Sequence, residues 1–159
     1  MRLLPCFAAL GMGLPTVLAA QDNDALIRDA ETAAPPELAA TATIVDWEGN
    51  VLREGTGPYT CLPTPPMLDP GSSPMCMDGE WMAWGEAWMG RKPYAPKELG
   101  ISYMLAGDGG ASTTDPYAEG PTDDNDWIEE GAHLMIVLPD PALLEGMSTD
   151  PHNGGPYVM

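Results

Sequence analysis

The residues best suited to chemistry are few: Cys61 and Cys76, fifteen positions apart, and two histidines, His133 and His152. Such a cysteine pair could form a disulfide, bind a metal with further ligands, or stand as free reactive thiols. The intervening LPTPPMLDPGSSPM carries five prolines with Gly and Ser, so it excludes a helix or a central strand and reads as an irregular surface excursion. A metal site would need more ligands nearby, and CxxC, CxxCH and closely spaced His are absent. In an oxidising compartment the default is a disulfide. Closing a loop of this size is worth roughly 3 kcal/mol in the chain-entropy model, an upper guide because the prolines already restrict the open chain.

His133 opens the run HLMIVLP and His152 sits in the turn DPHNGG. A fold that returns the tail beside this run would bring both imidazoles together. With Asp140 or Asp150 they could then hold a divalent ion such as copper, zinc or calcium, and Met135 or Met147 would suit copper(I). The plainer alternative is a strand-end histidine satisfied by backbone and an exposed turn histidine. PTDDNDW groups Asp123, Asp124 and Asp126, enough oxygen for weak calcium binding; without the central Gly and distal Glu of an EF-hand it reads better as a solvated acidic turn. GxSxG, HExxH, a phosphate-binding glycine loop and a dinucleotide fingerprint are all missing. No residue is therefore assigned a catalytic role, and no cofactor is expected beyond the divalent metal.

These residues need elements to position them. MDGEWMAWGEAWMGRKP is the most legible helix: Asp78 is placed as N-cap, Met77 and Met82 as a hydrophobic staple, Gly90 as the C-terminal stop, Arg91 and Lys92 at the negative end of the dipole. Met77, Trp81, Trp84 and Trp88 recur at spacings of four, three and four and form one stripe. Facing outward, Trp81, Trp84 and Trp88 would be a surface for a sugar or peptide; facing inward, they are core. An earlier helix is expected over roughly 25–34, capped by Asn23 or Asp24 and ended by Pro35-Pro36. TATIVDW and VLREG flank Glu48-Gly49-Asn50 as a β-hairpin, while GISYMLAG and AHLMIVLP read as strands. The second is apolar almost throughout, which predicts a central strand covered on both faces. The long polar stretch between them has no hydrophobic periodicity, and a loop of that length is either functional or mobile. PALLEG reads as a single helical turn, and Tyr157-Val158 as a last short strand.

MRLLPCFAALGMGLPTVLAA matches a secretory signal peptide, residues 1–20, with cleavage near Ala20. Its apolar run is too short and too broken by Pro and Gly to span a membrane comfortably, so no stable membrane insertion is expected after its removal. Residues 21–159 then form one α+β domain. It carries 5 basic residues against 24 acidic ones, a net charge of −19, which excludes nucleic acid as a partner and leaves a small ligand or a protein.

The strings VLREGTGPYTCLP, PMCMDGEWMAWGEAWM, GISYMLAGDGGASTTDPYAEGPTDDNDWIEEGAHLMIVLPDPALLEG and TDPHNGGPYVM together resemble an uncharacterised family of exported bacterial proteins. Members carry similar GWTC…DPMC, NTDPYA and GPHLMI segments and a closing GGPWVMW followed by a short apolar stretch. The resemblance implies a periplasmic or extracellular location and a shared cysteine pair, matches His133 and residues 115–118 to family motifs, and implies no activity. It also implies a chain truncated at Met159, before a last strand. Gly57-Pro58-Tyr59 replaces the family's Asn-Gly-Trp and implies a stiffer turn. The expected whole is a small, mainly antiparallel sheet from segments near 42–47, 51–54, 100–106 and 132–138, with the Trp helix on one face, long polar loops around it, and a non-enzymatic binding or structural role.

Overall fold

The computed structural model describes residues 16–68 and 71–159. The leader expected over residues 1–20 lies outside them up to residue 15. The first helix, α1, spans Thr16–Glu31, longer and earlier than expected, because Asn23 and Asp24 lie inside it and do not cap it. Pro35-Pro36 does not end it. Pro36 instead opens a second short helix, α2 (Pro36–Ala39), where a missing N–H costs nothing at the first turn.

The strands β1 (Thr43–Val45), β2 (Val51–Arg53), β3 (Thr60–Leu62), β4 (Met75–Met77), β5 (Gly100–Met104) and β8 (His133–Val137) form one sheet in the order β2-β1-β3-β4-β5-β8. All neighbours are antiparallel except β1 and β3. The β1–β2 hairpin closes as expected on a turn in which the Asp46 carboxylate accepts the N–H groups of Glu48 and Asn50 and the Asn50 side-chain amide. To reach the far side of β1, the chain after β2 crosses close over the residues preceding that strand. Gly55 makes this passage possible: a Cβ there would lie 2.3 Å from the backbone of both Ala42 and Thr43.

The cysteine-bearing strands β3 and β4 are the largest departure from expectation. The proline segment does form an irregular excursion, with only a short 3₁₀ turn at Pro66–Leu68, but its two ends are strands in the middle of the sheet. Pro63 and Pro74 sit just beyond those strands, so neither removes a ladder hydrogen bond within them, and both are fully buried.

Alternation along the strands makes two cores. Toward α1 lie Ile44, Cys61 and Cys76 with Ala30, Ala33, Ala34 and Ala42. Toward the Trp helix, α3 (Gly79–Met89), lie Leu62, Met77 and Trp81, flanked by Met135 and Val137. Cross-strand registers align Arg53, Ile44, Cys61, Cys76, Tyr103 and Leu134 in a single row over all six strands. The row begins with Arg53 paired to Glu31 of α1 and ends in solvent. The strand over 133–137 is thus an edge strand, correcting its expected central place. Its apolar run lacks the second cover: Leu134 and Ile136 are 51% and 54% exposed.

The polar stretch between β5 and β8 contains a two-stranded ribbon, β6 (Ala111–Ser112) with β7 (Trp127–Ile128), too short to show as a periodic pattern. PALLEG supplies a 3₁₀ turn, Pro141–Leu144. The expected last strand is a single parallel bridge between Ser148 and Tyr157. Among the described residues no helix is long and apolar enough to cross a membrane.

Candidate functional site

Helix α3 starts where its sequence says it should. The Asp78 carboxylate accepts the Trp81 N–H (3.0 Å) and, through its other oxygen, the Ile101 N–H (2.6 Å), which fastens the helix start to β5. Along the helix the tryptophans pass from core to solvent. Trp81, 7% exposed, donates its indole N–H to the Gly100 carbonyl and meets Trp84 edge to face, centroids 4.9 Å apart. Trp84 stacks on Trp88 at 6.2 Å, and Trp88, 39% exposed, stacks on Tyr117 at 5.9 Å. The stripe is therefore core at one end and surface at the other, and Tyr117 extends it into a four-ring ladder.

The far end of the ladder is fixed twice more. Trp88 donates its indole N–H to the Pro116 carbonyl (2.9 Å), and the Arg91 guanidinium lies 4.2 Å from the centre of the Tyr117 ring. Arg91 reaches that ring from an unusual backbone. The helix ends in a Schellman motif in which the Lys92 N–H reaches the Ala87 carbonyl and the Arg91 N–H reaches that of Trp88. Gly90 keeps helical angles, and the left-handed position falls on Arg91, φ 50°, the one non-glycine residue with positive φ among those described. An L-residue there costs about 1 kcal/mol.

Tyr117 belongs to the loop 113–126, which is held by its own polar groups. The Ser112 hydroxyl accepts the N–H groups of Thr114 and Asp115. Asn125 accepts from the Thr122 N–H and donates to the Gly120 carbonyl, while Thr113 donates to the Asp126 carboxylate. At the base, the ribbon β6–β7 closes tightly at Gly110, where a Cβ would overlap the Trp127 indole. The loop encloses an open cleft of about 470 Å³ lined by Thr114, Asp115, Glu119, Thr122, Asp124 and Asn125, a surface of carboxylates, hydroxyls and amides.

The other sequence-selected residues lie elsewhere. Cys61 and Cys76 are directly opposed on β3 and β4, disulfide-bonded and fully buried, with the Cys76 sulfur 3.9 Å from the Ala30 carbonyl of α1. His133 stands at the start of β8, its Nδ1 donating to the Gly131 carbonyl (2.7 Å) and its Nε2 3.8 Å from Asp108. His152 lies exposed in a turn whose Asp150 carboxylate accepts its backbone N–H. Asp140 caps the 3₁₀ turn through the Ala142 N–H. Among the described residues no three His, Cys, Asp or Glu side chains are grouped to hold a metal ion, so these four do not meet as one ligand set.

Sequence reasoning did not single out Asp108, and it named Arg91, Tyr117 and Tyr157 only as parts of local segments, without the contacts they make. Asp108 is a hub: its carboxylate accepts the N–H groups of Gly110 and Glu130. Tyr157 donates its hydroxyl to Glu130 (3.1 Å), tying the tail to the residues before β8, and burial followed by that carboxylate pushes its phenol up to about 12. Apart from the bond between Asp108 and Gly110, nothing local in sequence marks these contacts, which join residues from 22 to 29 positions apart. Compared with protein-family models, curated proteins and solved structures, the chain matches none.

Proposed function

We propose that the chain is an exported, disulfide-stapled, non-enzymatic binding module whose ligand is taken up by the loop 113–126 on the end of the aromatic ladder. The observation that carries this reading is the Trp88–Tyr117 stack. A long polar loop adds nothing to the core, so its anchoring to helix α3 is explained by presentation of its surface. Asp115, Glu119 and Asp124 in the cleft select a cationic, amine-bearing ligand. Export is supported by the leader pattern of residues 1–20, by the cysteine pair, which suits an oxidising space, and by the family resemblance, which points to the periplasm or the extracellular medium.

Calorimetric titration with spermidine and with trilysine tests the reading. Binding that weakens with salt and falls at least about tenfold in Tyr117→Ala is expected; failure of both probes to bind at millimolar concentration would overturn it. The competing reading, a metal-binding protein, rests on the pairing of His133 with Asp108. It requires copper, zinc or calcium to raise the melting temperature and His133→Ala with His152→Ala to abolish the rise.

A further inference from the structure

The free edge of β8 is a second surface of different chemistry. The strand pairs with β5 on one side, and on the other its N–H and C=O groups meet no backbone partner among the described residues. Native edges are ordinarily blunted by a charge, a proline or a bulge. Residues 131 to 138, GAHLMIVL, contain no carboxylate, Lys, Arg or proline, and the β5–β8 register runs without a shift over all five pairs. Leu134 and Ile136, about half exposed, stand on the face that α1 covers elsewhere in the sheet, and they continue the apolar rows led by Tyr103 and Ile101.

Charge defines what can complete this edge. The uncharged strand is bracketed by Glu129 and Glu130 before it and by Asp140 after it. A strand added in either direction therefore meets carboxylates at both of its ends. A second copy of this chain fits poorly: paired antiparallel about Met135, it would set Glu130 of each copy against Asp140 of the other, between molecules that each carry a net charge of −18. A strand with apolar alternate residues and basic ends fits both the apolar row and the carboxylates. We propose that β8 is a docking edge for an extended segment of a partner protein, apolar on alternate residues and carrying Lys or Arg at each end, which adds as a seventh strand by β-augmentation.

Amide exchange measured by NMR on the full chain tests this with a defined probe, a seven-residue synthetic peptide of alternating valine and threonine with a lysine at each end. Its twin, with glutamate at each end, is the control. The lysine-ended peptide is expected to slow exchange of the outward amides among residues 133–137 by about tenfold or more at saturation, and the glutamate-ended twin to leave them unchanged. Leu134→Lys and Ile136→Lys place charges on exposed positions, so each should keep the fold by circular dichroism and lose the peptide's effect. Equal protection by both peptides, or by neither, would refute the proposal. So would amides already protected in the protein alone, and a dimeric mass in that sample would assign the edge to a second copy.

Discussion

The disulfide row and the aromatic ladder solve one problem, holding this fold together, in opposite ways. On the α1 face, Cys61 and Cys76 are joined by a covalent bond between neighbouring strands and sealed under alanines, and nothing of the pair reaches water. On the α3 face, four rings in contact, the first pair edge to face and the rest stacked, run from a buried tryptophan to an exposed tyrosine. The first arrangement is complete in itself, whereas the second leads outward and fixes a loop the core does not need. Closure marks a region that serves stability. Continuity from core to surface marks one that presents something.

That contrast can be broken by substitution. The largest effect is expected inside the ladder: Trp81→Ala removes a buried ring and its bond to Gly100 and should cost about 4 kcal/mol, while Trp88→Ala, losing partly exposed stacking, should cost about 1 kcal/mol. Chemical denaturation measures both, and equal costs would mean that the gradient from core to surface is energetically unreal. Next comes the staple. Cys61→Ala with Cys76→Ala should lower stability by about 3 kcal/mol, and in the folded wild type the bridge should resist reduction and alkylation until denaturant is added, because both sulfurs are buried. Ready labelling of native protein after mild reductant would show a far looser disulfide face.

What the sequence reveals of these two regions follows the range of the forces involved. The start of α3 was legible because an N-cap is local, three residues from Asp78 to Trp81. Its end was legible only in part: Gly90 carries the expected signal, yet Arg91 takes the left-handed position, beside a tyrosine 26 residues further on. The pairing of the cysteines was readable from the oxidising compartment that the leader pattern implies, but the strands that carry them were not. Three-residue strands beside prolines leave no periodic trace, although Pro63 and Pro74 fall where a ladder can stop. The apolar run of β8 misled for a related reason. Hydrophobicity reports a strand's capacity for burial, and whether a neighbour arrives to use it depends on the rest of the chain.

A smaller effect separates backbone from side chain at the ladder's end. Arg91→Gly relieves about 1 kcal/mol of left-handed backbone cost and removes a cation–π contact worth about 0.5–1 kcal/mol at an exposed site. The two nearly cancel, so the melting temperature should hardly move. Amide exchange in the loop 113–126 should nevertheless quicken, since the ring of Tyr117 loses one of its restraints. Unchanged exchange there would leave Trp88 alone as the anchor.

The smallest effect lies in alkaline pH and compares the tyrosines that tie peripheral segments down. The Tyr94 hydroxyl donates to the Glu80 carboxylate at the foot of α3, and that bond holds its phenol up to about 12. Tyr157 reaches the same range through burial and Glu130, at the other side of the sheet. Because both folded-state values lie above the ordinary 10.0, the folded protein binds more protons than the unfolded chain between about 10 and about 12. Their contribution is whole below 10.0 and is lost as pH climbs through that window. Absorbance at the phenolate band should therefore show these two tyrosines titrating late, alongside Tyr59, whose phenol burial also pushes up, and Tyr94→Phe and Tyr157→Phe should each remove one late step and flatten the alkaline fall in urea midpoint. If Tyr157→Phe alone leaves the late titration intact, the tail is held to the sheet by the bridge between Ser148 and Tyr157 and not by Glu130.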